Sequence, residues 1–178
     1  ELYPYEAVKT NIIGTYNILE CVKKFHNKYK GIKRDWCMCG IAGLIVPKNG
    51  NLEQYSQTFS LATEQLRHRG PDFTAEYQDD FVWLMHTRLS VLDLSKAGNQ
   101  PMHSHDKRFV ITYNGEVYNY KDLEKKLSLK RISSNSDTEV ILNTYAKIGV
   151  DSFHKFNGMF ALSIYDKQNN SILLARDR

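Results

Sequence analysis

The chain has 178 residues, of which 42% are hydrophobic and 25% charged, the composition of an ordinary globular domain. It has no apolar run of about eighteen residues and no secretory signal at its start, so we predict a cytoplasmic protein without membrane association. Most of the net charge of +4 falls on residues 1–37, and the nearly neutral remainder lacks the basic stripe of a nucleic-acid binder.

Residues 1–37 predict a helix followed by a linker. Apolar residues recur at the helical spacing of about three to four positions, at Val8, Ile12, Tyr16, Leu19 and Val22. The basic stretch NKYKGIKRDW that follows has no such pattern. We therefore treat 1–37 as one segment and 38–178 as the main domain.

Two strands and a helix are predicted next. The apolar run CGIAGLIV, which starts at Cys39, is typical of a buried strand. The spacing of Phe59, Ala62 and Leu66 predicts a helix that ends near His68. The stretch FVWLMHTRLSVL, from Phe81 onward, predicts a strand that runs into a loop.

The second half of the chain predicts more strands and one helix. Alternation around Ile111 predicts a strand that delivers Asn114-Gly115 to a turn. In TEVILNTYAKIG the apolar residues share one helical face, with Ser136 or Asp137 as the cap and Gly149 as the stop. MFALSIYD and SILLARD, joined by KQNN, predict a hairpin. This mixed order favours an α+β fold.

The three cysteines, Cys21, Cys37 and Cys39, fit a reducing compartment better than a disulfide framework. Their spacing matches no zinc site, so no metal is expected. Cys39 directly follows Met38, and loss of that methionine would make Cys39 the first residue. Its α-amine, with a pKa of about 7.7 to 8.0, could then act as the base for its thiol. By itself, a cysteine in an apolar run is more often a core residue.

Several motifs occur in one order from Met38 to Arg178: MCGIAGLI, RHRGPD, HTRLSVLDLS, GNQPM, YNGEVYNY, SDTEVIL, GMFALSIYD and LLARDR. Together they resemble the class II amidotransferase domain of glutamine-dependent asparagine synthetases. Glucosamine-phosphate synthases share the Cys-Gly-Ile start, but the residues RGPD and RLSVLD here favour the asparagine synthetase branch.

The resemblance implies an N-terminal-nucleophile (Ntn) hydrolase fold, a four-layer αββα sandwich. It implies that Cys39 attacks the side-chain amide of glutamine. The Asn114 side chain and the Gly115 N–H would hold the oxyanion. Arg88 would bind the α-carboxylate of glutamine and Asp137 its α-ammonium.

The same resemblance places other residues in the glutamine pocket: Leu89, Ser90, Val91, Leu92 and Glu116. Simpler interpretations remain open for the main candidates. Arg88 could be a surface ion-pair partner and Asp137 only a helix cap, and Asn-Gly is the commonest dipeptide of type I′ hairpin turns. For Arg67, Arg69 and Asp72 we favour a structural role at the end of a helix. The histidines are assigned to packing or solvent.

The resemblance also implies parts that the chain lacks. ATP and magnesium belong to a synthetase domain that normally follows in the same chain, and the amidotransferase domain itself needs no cofactor. The family normally continues beyond the ARDR at which this chain stops, so we expect a domain that is truncated at its C-terminus. A homodimer is a further partner to consider.

Residues 1–37 raise alternatives. PYEAVKTNIIGTYNILE resembles one helix of the NDP-sugar epimerases of polysaccharide synthesis, and we interpret it as an unrelated segment joined ahead of Met38. With that segment in place Cys39 is internal, and we expect the chain as written to be inactive. The alternatives to an asparagine synthetase are an amidotransferase for a sugar acid of a surface polysaccharide and a blocked or truncated gene product.

Overall fold

The computed structural model of the chain describes residues 8–10, 39–46, 50, 52–90, 93–129 and 134–177. The described strands are β1 (Val8–Thr10), β2 (Gly40–Ile45), β3 (Phe73–Gln78), β4 (Val82–Arg88), β5 (Met102–His103), β6 (Phe109–Val117), β7 (Gly158–Asp166) and β8 (Ser171–Arg176). The described α-helices are α1 (Ser56–Leu66), α2 (Tyr120–Lys126) and α3 (Asp137–Ile148). The chain divides into two compact units, one of Ile12–Leu89 and one of Glu1–Asn11 with Ser90–Arg178.

The Ile12–Leu89 unit is built on an antiparallel sheet of three strands in the order β2-β4-β3. All six residues of β2 are buried, which explains why its sequence is a continuous apolar run rather than an alternating one. Helix α1 contributes Phe59 and Leu66 to a core that also holds Met85 of β4. The ring of Phe59 stacks on Trp83, with centroids 3.6 Å apart. Packing of an amphipathic helix on a sheet therefore forms this core.

The other unit is built on an antiparallel sheet of five strands in the order β1-β8-β7-β6-β5. Strands β6 and β7 pair along nine residues, from Phe109↔Asp166 to Val117↔Gly158. Helix α3 supplies Val140, Ile141 and Leu142 to the core of this unit. It starts at the Ser136 cap, whose side chain accepts from the Glu139 N–H, and it ends at Gly149 with a φ of 64°. Both ends were predicted from the sequence.

The predicted order of elements is largely confirmed. Strands β2 and β4, helices α1 and α3 and the β7–β8 hairpin lie where the sequence patterns placed them, and the α+β class is confirmed. The turn predicted at Asn114-Gly115 is wrong, because both residues continue β6 and pair with Ala161 and Phe160 of β7. A type I′ turn requires φ above zero at both central residues, and Asn114 does not have it. Pairing with β7 therefore overrides the local preference of the dipeptide.

The helix predicted for the N-terminal segment is wrong at Val8–Thr10, which form strand β1 beside β8. β-branched residues such as Val8 and Thr10 favour strands, and the edge of β8 offers backbone groups that need hydrogen-bond partners. The rest of that predicted helix lies outside the described residues.

Within the described part of the chain, no helix is both long and apolar enough to cross a membrane.

Candidate active site

Cys39 lies immediately before β2, and its thiol contacts the backbone of the residue that follows β4. The Sγ atom accepts a hydrogen bond from the Leu89 N–H at 3.3 Å and donates to the Leu89 carbonyl at 3.7 Å. Cys39 is partly buried and is not part of a disulfide. The interpretation of Cys39 as an ordinary core residue is therefore not favoured, because the residue is only partly buried and its thiol is oriented by two polar groups.

The backbone around Cys39 is fixed by two polar side chains. The Oγ1 atom of Thr87 accepts from the Gly40 N–H at 3.0 Å and donates to the Leu66 carbonyl at 3.1 Å. The Nε–H of Arg69 donates to the Cys39 carbonyl at 3.4 Å. Sequence reasoning gave Arg69 only a role at the helix end and did not single out Thr87. Their positions inside the RHRGPD and HTR motifs were the signal that could have identified them.

Arg88 is the last residue of β4 and is 7% exposed. Its carbonyl accepts from the Asp72 N–H at 3.1 Å, and it pairs with Phe73 of β3. An arginine buried to this degree is unlike a solvent-exposed ion-pair partner, the simpler interpretation left open from the sequence. In the same unit, the structure thus places Cys39, Arg88 and Leu89 at one end of the β2–β4 pair.

The Ser90–Arg178 part of the second unit carries the remaining candidates. Ser90 is partly buried, whereas Val91 and Leu92 lie outside the described residues. Asn114, Gly115 and Glu116 follow one another near the end of β6.

Asn114 is 7% exposed, and its Oδ1 is buried without a hydrogen-bond partner in the described part of the chain. Most buried polar atoms have a partner, so an unsatisfied carboxamide end suggests that something else binds there.

Gly115 has a φ of 151° and lies against β7. A Cβ atom at this position would overlap the carbonyl oxygen of Met159 and would lie 2.5 Å from the Cα of Phe160. Only glycine therefore fits this point of β6, directly after Asn114.

Asp137 is the first residue of α3 and is 4% exposed. Its Oδ2 accepts from the Tyr113 hydroxyl at 2.6 Å and from the Val117 N–H at 3.0 Å. The capping bond of the helix comes from Ser136, so the carboxylate of Asp137 is not its cap. The simpler interpretation of Asp137 as only an N-cap is therefore wrong.

Burial raises the pKa of Asp137 above its ordinary value of 3.8. Hydrogen bonds from Tyr113 and from the N–H groups of Val117 and Thr138 act in the opposite direction, and the nearby charge of Glu116 adds to the rise. Burial and the charge of Asp137 raise the pKa of the Tyr113 phenol well above its usual range. The phenol is therefore a permanent hydrogen-bond donor to the carboxylate.

No group of three or more His, Cys, Asp or Glu among the described residues could hold a metal ion. Among the described histidines that were assigned to packing or solvent, His86 is fully buried. His68, His103 and His105 are exposed.

Comparison with known proteins identifies a matching family and similar proteins. Residues 38–178 match the family described as glutamine amidotransferase domain. The chain is 37% identical over 140 residues to asparagine synthetase [glutamine-hydrolyzing] 1 of Arabidopsis thaliana. It is 38% identical over 159 residues to a putative asparagine synthetase [glutamine-hydrolyzing] 2 of Methanocaldococcus jannaschii. Each alignment covers 79% of this chain, but the chain spans only 24% and 30% of the length of these two relatives.

Proposed function

This chain belongs to the glutamine amidotransferase domain family, and from that premise we propose that it is the glutamine-hydrolysing domain of an asparagine synthetase. It hydrolyses the side-chain amide of glutamine to glutamate and ammonia. The ammonia then serves to amidate an ATP-activated aspartate. The two relatives are named as glutamine-hydrolysing asparagine synthetases, which supports this acceptor.

The observation that carries the proposal is the position of the Cys39 thiol against the backbone of Leu89. In the first step the Sγ atom forms a bond to the amide carbon of glutamine. The thiol proton passes to the α-amine of Cys39 and then to the leaving nitrogen, which departs as ammonia. Water hydrolyses the resulting thioester, releasing glutamate and restoring the thiol. This sequence requires Cys39 to be the first residue of the active protein, with Met38 and all that precedes it removed.

Charge that develops on the carbonyl oxygen needs hydrogen-bond donors. We assign this role to the Asn114 side chain and the Gly115 N–H. The unsatisfied end of the buried Asn114 carboxamide supports the assignment, since a half-turn of that group presents Nδ2 as a donor in the same place. Loss of such a donor typically costs about 2.7 to 4 kcal/mol of transition-state stabilisation.

Recognition of glutamine as an amino acid needs one group for each of its charges. Arg88 binds the α-carboxylate and Asp137 the α-ammonium. We also assign Leu89, Ser90, Val91, Leu92 and Glu116 to glutamine binding. The burial of both Arg88 and Asp137 supports these roles, because charged side chains are seldom this deeply buried where they serve stability alone.

The chemistry uses only side-chain and backbone groups, so the domain works without a cofactor or metal. We propose the four-layer αββα arrangement of the Ntn hydrolases for its fold. The relatives are more than three times as long as the matched segment, which supports a synthetase domain, with ATP and magnesium, in the same protein.

The proposal is tested by glutamate release from glutamine, measured with a version of the chain that begins at Cys39. We expect activity in this version and none in its Cys39→Ala variant, while Cys39→Ser separates loss of the sulfur from loss of any nucleophile. The full 178-residue chain should be inactive unless it is processed, which mass spectrometry of its N-terminus reveals. Equal glutamate release by the version that begins at Cys39 and by its Cys39→Ala variant would refute the proposal.

A further inference from the structure

The phenol of Tyr113 is buried within the five-stranded unit and ends on a carboxylate. Tyr113 is 3% exposed, and its ring belongs to the core formed by α3 and the sheet. Its hydroxyl donates to the Oδ2 atom of Asp137 at 2.6 Å. A buried phenol needs a polar partner, but here the partner is itself a buried charged group, which is costly to maintain for stability alone.

A backbone N–H also donates to the same oxygen of Asp137. The Val117 N–H donates to Oδ2 at 3.0 Å, so two donors from β6 converge on one end of the carboxylate. A carboxylate held in this way cannot rotate about its Cβ–Cγ bond without breaking both bonds. The direction of Oδ1 is therefore determined by the strand.

The backbone of Tyr113 is also linked to the start of α3. The side-chain Oε1 of Gln100 accepts from the Tyr113 N–H at 2.6 Å, and its Nε2 donates to the Thr138 hydroxyl at 3.2 Å. Gln100 is 5% exposed, so these bonds form away from water. Tyr113 is thus connected to the Asp137–Thr138 turn through both its side chain and its backbone.

We propose, on the basis of the role assigned above to Asp137, that Tyr113 is a positioning residue for glutamine: its hydroxyl fixes the carboxylate so that Oδ1 accepts from the substrate α-ammonium. Tyr113 itself does not touch the substrate through this hydroxyl.

The electrostatics of the pair agree with this geometry. Burial raises the pKa of Asp137, and the hydrogen bond from Tyr113 counteracts that rise, which helps to keep the carboxylate charged for a cationic ligand. The charge of Glu116 raises the pKa of Asp137, against the effect of this hydrogen bond. It also raises the pKa of Tyr113, in the same sense as burial and Asp137, which keeps the phenol protonated as the donor.

The test compares full-length protein with and without Tyr113→Phe. Both proteins carry Cys39→Ala so that glutamine is not consumed. Calorimetry gives the Kd of two ligands, L-glutamine and 4-carbamoylbutanoate, which is glutamine without its α-amino group. We expect Tyr113→Phe to weaken the binding of glutamine about 2- to 10-fold, the range for loss of one hydrogen bond. The Kd of the analogue should not change. If Tyr113 had a purely structural role, Tyr113→Phe would weaken the binding of both ligands alike.

A matched control is Tyr165→Phe in β7, which removes the hydroxyl of another buried tyrosine; that hydroxyl donates to Asn170 at 3.1 Å, away from Asp137. It should leave the Kd of both ligands unchanged. If Tyr113→Phe is poorly folded by thermal melting, the double variant Tyr113→Phe/Asp137→Asn decides: its Kd for glutamine should equal that of Asp137→Asn alone. A weaker Kd for glutamine in the double variant would contradict action through Asp137.

The two proposals fail in different ways. If Asp137→Asn abolishes the preference for glutamine over the analogue while Tyr113→Phe retains it, only the positioning role is overturned. If Asp137→Asn retains the preference as well, the assignment of Asp137 to the ammonium is wrong. If neither the full-length chain nor a version that begins at residue 39 binds glutamine, the proposed function fails.

Discussion

The hydroxyl of Thr87 accepts a hydrogen bond from the N–H of Gly40, the residue directly after Cys39, at 3.0 Å. The same hydroxyl donates to the Leu66 carbonyl at the end of α1, and Thr87 is fully buried. One side chain of β4 therefore connects the start of β2 to the end of the helix that packs on it. The position of Cys39 depends on this connection.

Thr87→Val is expected to destabilise the protein and to lower glutaminase activity. Valine has nearly the same shape but leaves the Gly40 N–H and the Leu66 carbonyl buried without this partner, at a cost of about 1 to 3 kcal/mol each. Urea denaturation measures the stability and glutamate release the activity. Thr87→Ser, which keeps the hydroxyl, should recover most of the activity. Equal activity in the valine and serine variants would show that the hydroxyl does not position Cys39.

Gly115→Ala is expected to prevent proper pairing of β6 with β7. The added Cβ would overlap backbone atoms of Met159 and Phe160, which cannot move as a flexible side chain can. We expect a loss of more than about 3 kcal/mol, beyond the range of ordinary substitutions. Circular dichroism and urea denaturation measure it.

Gly149→Ala is the matched control for this prediction. Gly149 also has a positive φ, 64°, but a Cβ there would meet nothing within 4 Å. Only backbone strain of about 1 to 3 kcal/mol should then appear. If the two alanine variants are equally stable, steric overlap with β7 is not the reason for Gly115.

Asp137→Asn is expected to be more stable than the unchanged chain at neutral pH. Because burial raises the pKa of Asp137, the folded state carries a penalty for the charged form. That penalty is absent below the ordinary pKa of 3.8 and grows as the pH rises through the raised value. The advantage of the variant should therefore vanish towards about pH 4, as urea denaturation across the pH range can show.

Asp166→Asn provides a control of opposite sign. Burial opposes ionisation of Asp166, but hydrogen bonds from Arg108, Asn169 and the Gln168 N–H outweigh it and lower its pKa. Its stabilising contribution is present above the ordinary value of 3.8 and is lost as the pH falls through the lowered one. Asp166→Asn should thus be the less stable protein at pH 7. The explanation fails if both variants shift stability in the same direction.

Ser136→Ala is expected to cost about 1 kcal/mol by removing the cap of α3. The Ser136 Oγ accepts from the Glu139 N–H at 3.4 Å, and it also bonds to the hydroxyl of Ser134 at 2.9 Å. Urea denaturation measures the effect. Ser60→Ala, at an exposed position inside α1, should change stability by less than about 0.5 kcal/mol. A loss no larger than that of the control would mean that α3 does not need this cap.

The sequence predicted most of the elements because their signals are local. The apolar run of β2, the helical spacing in α1 and α3 and the cap and stop of α3 all lie within about a dozen neighbouring residues. The prediction of a turn at Asn114-Gly115 was wrong because the same dipeptide also fits a strand when a partner strand is present. That partner, β7, comes more than forty residues later. Local preference cannot represent that partner.

The family motifs identified the candidate site residues but not the contacts that hold them. Gly40 and Thr87 are 47 positions apart, and Tyr113 and Asp137 are 24 apart. No periodicity within one element joins such pairs, because the contacts arise only when strands and helices pack. The supporting hydrogen bonds of Thr87, Arg69 and Tyr113 therefore became visible only in the structure.

The Gln100 carboxamide links the strand that carries Asn114 to the helix that begins with Asp137. The neighbours of Asn114 and Asp137 in the chain are therefore connected through one buried side chain. If Asn114 and Asp137 contact the amide oxygen and the α-ammonium of one ligand, the distance between them determines which side-chain length fits. Such a site would bind glutamine in preference to asparagine, whose side chain is one methylene shorter.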